Sequence, residues 1–329
     1  MRRRTLLALA GGAALTWPFA ARAQPQNRKR LIGVLMNFRA DEPEGRLRIT
    51  AFVQALQQFG WTDGANMHLE IRWAGDDAAR YARHAEELVA QAPDVILASA
   101  SPSVAALQQA THNVPIVFAN VIDPVGAGYV ASLARPGGNI TGFTAFDYSI
   151  AGKWFDLLKQ IAPRMRRLAV VRDPSFAAGI GLFAVIQSVA SSSGVEISVI
   201  DPRETGELDR GFGAFAHEPD GGVIVTAAAS IIVRRELIVS LATRHRLPSI
   251  YPFAYYAVNG GLASYGPSST DEFTRAAAYA DRIIKGESPR NLPVQAPTKY
   301  ELAINLRSAR AFGLAIPPAL LATADQVIE

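Results

Sequence analysis

The sequence of 329 residues contains no cysteine. That absence excludes a disulfide framework, a thiolate nucleophile, an iron–sulfur cluster and a lipid-anchored cysteine. Histidine is scarce as well, and the five histidines at positions 68, 84, 112, 217 and 245 show no spacing of the kind used in metal sites. No long apolar run follows the N-terminal region, so we expect no later segment to cross a membrane. Stability must then come from burial, for which an apolar content of 49% is ample.

The N-terminus has the pattern of a cleaved secretory signal. Arg2-Arg3-Arg4 precedes an apolar run over residues 8–15, and Ala21-Arg22-Ala23 forms a small-x-small cleavage site. The apolar run is too short to span a bilayer as a helix. Paired arginines just ahead of two leucines also suit the twin-arginine export route. We therefore predict a signal peptide over residues 1–23, cleavage after Ala23 and a periplasmic protein.

The net charge of the whole chain overstates its basicity. Lys and Arg number 33 against 29 Asp and Glu, but four of the arginines belong to the predicted signal. The mature protein is then close to neutral, with histidine counted as uncharged. Net charge therefore gives no argument for nucleic acid or an anionic membrane as a partner.

The rest of the sequence alternates strand-like and helix-like segments. Near-continuous apolar runs at 31–36, 94–98 and 115–119 predict buried strands, with amphipathic helices between them. Such a βαβαβ order predicts a parallel sheet covered by helices on both faces. A second series begins after the turn at 135–139, with strands predicted at 140–143, 168–171, 195–200, 223–226 and 249–250, and helices near 179–193, 206–216 and 231–246.

A mature chain of about 300 residues is longer than a single hydrophobic core usually supports, which favours two lobes. We place lobe 1 at 28–145 plus 264–290, and lobe 2 at 146–263 plus 291–329. Crossing segments near 143–147 and 260–266 would serve as hinges. Ligands of such sheets bind beyond the carboxyl ends of the strands, so the cleft between the lobes is the predicted site.

Polar residues at strand exits are the first candidates for ligand contact. Ser99 and Ser101 flank the start of a helix, where they either only cap it or help to bind a carboxylate at its positive end. Asp123 precedes a proline at another exit, where it either pairs with a ligand ammonium or only forms a turn. Aromatic residues near later exits could enclose an apolar ligand or simply pack beneath loops. The full set of predicted ligand-binding residues is Ser99, Ser101, Asn120, Asp123, Phe143, Asp173, Ser175, Thr226, Tyr251 and Tyr265.

Catalytic motifs are missing. The sequence has neither a Gly-x-Ser-x-Gly elbow nor a Gly-x-x-x-x-Gly-Lys-Ser/Thr loop. We predict no catalytic residue, no metal and no cofactor, and hence a protein that is not an enzyme. An α/β hydrolase or transferase using the same cleft is the alternative, and it would depend on an acid such as Asp123.

Several segments in order resemble the tryptophan/tyrosine-type ABC transporter substrate-binding protein family. The most distinctive is Arg135-Pro136-Gly137-Gly138-Asn139-Ile140-Thr141-Gly142, preceded by Asp123-Pro124-Val125-Gly126. Gly261-Leu262-Ala263-Ser264-Tyr265-Gly266 and the run from Pro297 to Leu306 also match. The resemblance covers essentially the whole mature chain.

This resemblance implies a type I periplasmic-binding-protein fold with two Rossmann-like lobes, parallel sheets and crossover strands. It also implies an inner-membrane ABC permease and its ATPase as partners, and delivery of a small ligand to a transporter suits a monomer. The ligand class is predicted from the residues instead: a serine turn that can bind a carboxylate, with an acid nearby, suggests an amino acid or related zwitterion, and the aromatic residues favour an aromatic or apolar side chain. By place in the motif, ligand contact carries over to Ser99, Ser101, Asp123, Asp173, Ser175 and Thr226. A ligand-sensing module for a membrane receptor is the alternative function.

One position departs from the pattern. Many relatives have Asn-Pro after the first strand of the second lobe, where this chain has Asp173-Pro174. The extra negative charge would discriminate against anionic ligands or recruit a cationic one.

Overall fold

The computed structural model describes residues 28–75 and 77–329, so the predicted signal lies outside the described residues. The chain forms two α/β lobes. The first lobe begins with β1 (Arg30–Met36), α1 (Pro43–Gln58), β2 (Met67–Trp73), α2 (Ala78–Ala90), β3 (Val95–Ser99), α3 (Ala100–Ala110), β4 (Ile116–Val121) and β5 (Ile140–Thr144). The second lobe contains α4 (Ile150–Ile161), β6 (Arg167–Val171), α5 (Ala177–Ser192), β7 (Glu196–Ile200), α6 (Thr205–Ala216), β8 (Gly221–Val225), α7 (Ala229–Val233), α8 (Arg235–Arg244), β9 (Ser249–Tyr251), α9 (Ala254–Val258) and β10 (Ala263–Pro267).

The chain then returns to the first lobe and crosses once more to the second. The returning part is α10 (Ser269–Ile284) and a 3₁₀ turn at Pro289–Asn291. The last crossing leads to β11 (Tyr300–Asn305), α11 (Leu306–Ala311), α12 (Pro318–Ala322) and β12 (Gln326–Ile328). Within the described ranges, no helix is both long enough and apolar enough to cross a membrane.

The first sheet has the strand order β2-β1-β3-β4-β5 and is parallel throughout. Successive side chains of each strand point to opposite faces of the sheet and so pack into different cores. Val34 faces a core with Phe52 of α1 and Phe273 of α10, whereas Leu35 faces a core with Leu88 of α2. Burial on both faces explains why these strands appear in the sequence as continuous apolar runs.

The second sheet has the order β12-β11-β10-β9-β8-β6-β7, and only the pair β10–β11 is antiparallel. Its core includes Trp154 and Leu158 of α4, packed against the sheet. The predicted class, two α/β lobes with parallel sheets, is confirmed.

The second and third crossings lie a few residues after the predicted lobe boundaries. Residues 263–267 belong to the second sheet, because β10 pairs with β9 and β11. Residues 292–295 remain in the first lobe, where Thr141 Oγ1 donates to the Leu292 carbonyl at 2.6 Å and Gln295 N donates to the Gly142 carbonyl at 3.0 Å. The boundaries after 263 and 290 are therefore corrected to 267–269 and 296–299.

Candidate functional site

A cavity of about 550 Å³ lies between the two lobes. It is bordered by the residues that follow β1, β3 and β4 in the first lobe and by those that follow β6, β8 and β9 in the second. The first lobe contributes Asn37, Gly75, Ala78, Tyr81, Ala82, Ala100, Ser101, Pro102, Ala105, Ala106, Gln109, Asn120, Ile122 and Tyr129. The second contributes Phe176, Ala227, Ala228, Ile232, Val233 and Phe253. The cleft at the strand exits is thus where the cavity forms.

Two residues of the first wall hold a left-handed backbone. Ala100, where β3 turns into α3, has φ of 65°, and Asn120 near the end of β4 has φ of 61°. This region costs a residue with a side chain on the order of 1 kcal/mol, so the surrounding structure must impose it. Tyr129 supports the turn, because its hydroxyl donates to the Ser101 carbonyl at 3.1 Å. The start of α3 is thereby fixed against the cavity.

The polar groups of this wall are neutral amides and hydroxyls. Asn37 and Asn120 are only 7% and 9% exposed, and both line the cavity. Asn37 Oδ1 accepts from Ser99 Oγ at 2.7 Å, which leaves its amide N–H groups for another partner. The side chain of Asn120 makes no hydrogen bond to any residue within the described ranges. Both amides can therefore donate to a polar group placed in the cavity.

The second wall is apolar and built on a stack of rings. Phe253 lines the cavity and stacks on Tyr255 with centroids 5.6 Å apart. Tyr255 stacks on Tyr256 at 4.7 Å, which stacks on Tyr251 at 4.9 Å. A column of this kind gives the cleft a stiff aromatic surface, suited to covering an apolar part of a ligand.

Among the predicted residues, Ser101 and Asn120 line the cavity. Two others lie one step behind it. Ser99 is fully buried and positions Asn37 through its hydroxyl. Thr226 Oγ1 donates to the Val171 carbonyl at 3.0 Å, and the next residue, Ala227, is on the wall.

Asp173 and Ser175 lie beside the second wall rather than in it. The Asp173 carboxylate accepts from Ser175 N at 2.8 Å, from Ser175 Oγ at 2.5 Å and from Ser230 Oγ at 2.6 Å. Burial alone would raise the pKa of Asp173, but these hydrogen bonds hold it below its usual value. The acid thus stabilises the turn before Phe176, the residue that does line the cavity.

Asp123 connects the exit of β4 to the first crossing. Its Oδ1 accepts from Gly126 N at 2.8 Å, as in a turn, and its Oδ2 accepts from Tyr148 Oη at 2.7 Å. Burial and this hydrogen bond raise the pKa of Tyr148 to about 12. Asp123 does not line the cavity and its carboxylate holds the turn at Gly126, so the structure favours the turn-forming role over contact with an ammonium.

Three predicted aromatic residues lie away from the cavity wall. Phe143 is in the first-lobe core with its ring 4.8 Å from that of Tyr279, and Tyr251 is at the buried end of the ring stack. Tyr265 stacks on Tyr300 at 5.7 Å beside the second-lobe core. The pleat directs Phe143 and Tyr251 into the cores and Tyr265 against the outside of one, so none of the three belongs to the proposed site.

Sequence reasoning missed several wall residues. Asn37 directly follows β1, so the strand-exit rule could have found it. Tyr81 and Gln109 lie within α2 and α3, and Tyr129 lies in a loop. Nothing local marks these three, because only the tertiary fold brings them to the cleft.

A buried carboxyl lies behind this wall. Glu272 of α10 is 1% exposed, close to Arg48 of α1, whose own ion pair is with Glu44 at 2.8 Å. Burial raises the pKa of Glu272 to about 8, although the Arg48 guanidinium and the backbone N–H of Asn120 oppose the rise. Glu272 is therefore protonated at neutral pH in the folded protein.

Glu272→Gln should remove a pH dependence of stability. The folded pKa of about 8 exceeds the ordinary 4.5, so the wild type loses stability as pH rises across that interval. We expect the variant to gain about 1.4 kcal/mol on the wild type for each pH unit within it. Urea unfolding at pH 5, 6 and 7 measures the gain. Glu287→Gln is the control, because Arg282 lowers the pKa of Glu287 and the carboxylate is therefore ionised throughout this pH range. The difference in free energy of unfolding between this variant and the wild type should not change from pH 5 to pH 7.

The sequence model of the family described as "ABC transporter substrate binding protein" matches residues 42–328. The chain belongs to this family. A curated relative, the tyrosine-binding protein of Clostridioides difficile (strain R20291), is 26% identical over 264 residues, which cover 80% of this chain and 75% of the relative. The name of this relative describes a binding protein, in agreement with the description of the family.

Solved structures show the same fold. A conserved domain protein from Vibrio cholerae is 26% identical and matches with a TM-score of 0.83, covering 91% of this chain and all of that one. The ABC domain from Streptococcus pneumoniae in complex with L-Trp is 24% identical, with a TM-score of 0.83 over 92% of this chain and 100% of that chain. The architecture is therefore the type I periplasmic-binding-protein fold that the resemblance implied.

Proposed function

We propose that the protein is the exported solute-binding component of an ABC importer, and that its lobes close over one small ligand in the cleft. The observation that carries the proposal is a cavity built by both lobes, with amides and a helix start on one wall and aromatic rings on the other. A ligand that contacts both walls stabilises the closed form, which an inner-membrane permease and its ATPase would recognise. Family members are typically exported, which supports a periplasmic location.

The ligand we propose is an amino acid or related zwitterion with an apolar or aromatic side chain. Its carboxylate would lie at the start of α3, near Ser101 and the amides of Asn37 and Asn120. Its side chain would face Phe176 and Phe253. Relatives described as binding tyrosine or L-Trp support this class. An ammonium would find neutral acceptors and aromatic faces in the cavity.

A thermal-shift screen tests the proposal directly. Protein starting at Gln24 would be unfolded and refolded to remove carried ligand, and then screened against amino acids, sugars, nucleosides and small organic acids. A ligand at 100 times its Kd adds about 2.7 kcal/mol of stability. Small-angle scattering should then show compaction with that ligand. A hit without compaction, or no hit in any class, would contradict the proposal.

Phe176→Ala should weaken ligand binding without unfolding the protein. The ring lines the cavity yet is only partly buried, so its loss removes ligand contact more than core packing. The loss of about 1.5–3 kcal/mol of binding free energy from apolar burial predicts a rise in Kd of roughly 10- to 100-fold. Calorimetric titration with the ligand from the screen measures it. Phe183→Ala, in the helix that Phe176 immediately precedes but outside the cavity wall, should leave Kd within about twofold.

A further inference from the structure

A largely buried ion pair joins the two lobes across the cleft. Arg235 of α8 donates through Nη2 to Oε2 of Glu42, which immediately precedes α1. The two side chains are only 18% and 10% exposed. Each charge would be expensive to bury alone, so their burial depends on the two lobes being together.

Both partners are held in place by their own lobes. Glu42 Oε1 accepts from Arg39 N at 2.9 Å, and Arg235 Nη1 donates to the Ile232 carbonyl at 3.0 Å. Ile232 itself lines the cavity. The pair therefore borders the ligand cavity without belonging to its wall.

The pair also lies near the second crossing. Glu44, two residues after Glu42, accepts from Ser269 Oγ at 2.8 Å, and Ser269 begins α10 just after the chain crosses from β10. A second contact between the lobes accompanies the ion pair: the rings of Phe38 and Tyr255 meet edge to face, with centroids 6.4 Å apart. Both contacts between the lobes are made directly by their own side chains.

We infer that Glu42 and Arg235, hereafter the closure pair, set the ligand affinity by stabilising the closed arrangement of the lobes. The inference rests on the proposed function for its effect on affinity, because the apparent Kd equals the intrinsic Kd divided by the closed fraction. Removing one charge leaves the other largely buried and without its partner from the opposite lobe when the lobes close, whereas water solvates it when they open. The ion pairs that would remain are longer and more exposed, with Arg39 at 4.0 Å from Glu42 and Glu236 at 3.7 Å from Arg235. Each single variant should therefore open, and loss of both charges should largely restore closure.

Distance measurement between the lobes tests this without any ligand. The sequence has no native cysteine, so Glu86→Cys on α2 and Ser188→Cys on α5 give two specific label sites, both exposed and on opposite lobes. Pulsed electron spin resonance would compare the parent with Glu42→Gln, Arg235→Met and the double variant. We expect the closed population to fall about tenfold or more in each single variant and to recover in the double variant. Glu287→Gln, which removes an ion pair within the first lobe, should leave the distances unchanged.

The same four proteins are then titrated with the ligand from the screen. We expect Kd to rise about tenfold or more in each single variant and to return to within about threefold of the parent in the double variant.

Unchanged distances in both single variants would overturn the inference, and so would a double variant as open as the single ones. If the single variants open but no compound binds, the closure pair stands and the proposed function fails. If a ligand binds but the variants keep the distances of the parent, the proposed function stands and the closure pair fails. Circular dichroism confirms that each variant is folded.

Discussion

Trp154→Ala should lower the free energy of unfolding by about 4 kcal/mol, the middle of the range for a buried Trp replaced by Ala. Trp154 in α4 is fully buried, and its ring meets that of Phe146 edge to face with centroids 5.5 Å apart. The indole Nε1 also donates to the Tyr265 carbonyl at 2.6 Å. The alanine would leave both a cavity and an acceptor without its partner.

The position of Trp154 makes its loss more than local. Tyr265 lies in β10, the strand that leads into the second crossing, so the indole connects the first helix of the second lobe to a hinge segment. Trp154→Phe is the matched variant: it keeps an aromatic ring but lacks the donor, and should cost about 1–2 kcal/mol less than alanine does. Guanidinium unfolding followed by circular dichroism measures both. A loss below about 2 kcal/mol for Trp154→Ala would contradict the assigned packing.

Much of the fold could be predicted because the central strands are buried on both faces. The apolar runs at 94–98 and 115–119 correspond to β3 and β4, whose residues are all buried. The edge strand β12 had no such signal, since Gln326 and Val327 are exposed and the strand is recognised only by its pairing with β11. The helix predicted over 231–246 is two helices, because Arg234 leaves the helical conformation between them.

The candidate site was predictable only where it coincides with strand exits. Ser101 and Asn120 were found because both lie at or just beyond the carboxyl ends of parallel strands. Phe143 and Tyr251 also lie near strand ends, yet the direction of each side chain depends on the register of the pleat, and theirs point into cores. Phe176 and Tyr129 reach the cavity through loops whose course the sequence alone does not specify.

Gly266→Ala should lower the free energy of unfolding by about 3 kcal/mol or more, through steric conflict with the backbone rather than loss of contacts. A Cβ at Gly266 would lie 1.7 Å from the Pro252 carbonyl oxygen and 2.9 Å from its carbon. Gly266 is buried in β10 opposite Glu301 of β11, so neither strand can shift without breaking ladder hydrogen bonds. Displacement of β10 would also disturb the second crossing. We therefore expect a closed fraction that changes along with stability.

Gly213→Ala is the matched control, because the chemical change is identical and the surroundings differ. Gly213 lies inside α6, and among the residues that the structure describes, a Cβ there would have no atom within 4 Å beyond its chain neighbours and the adjacent backbone of its own helix. Alanine in a helix interior is favoured over glycine by about 0.5–1 kcal/mol, so this variant should be slightly more stable than the wild type. Opposite signs from one substitution, measured by the same urea unfolding curves, would establish that the approach of Pro252 determines the residue at 266. Equal changes in the free energy of unfolding at the two sites would contradict it, since they would show that strand β10 can move to accommodate the added methyl group.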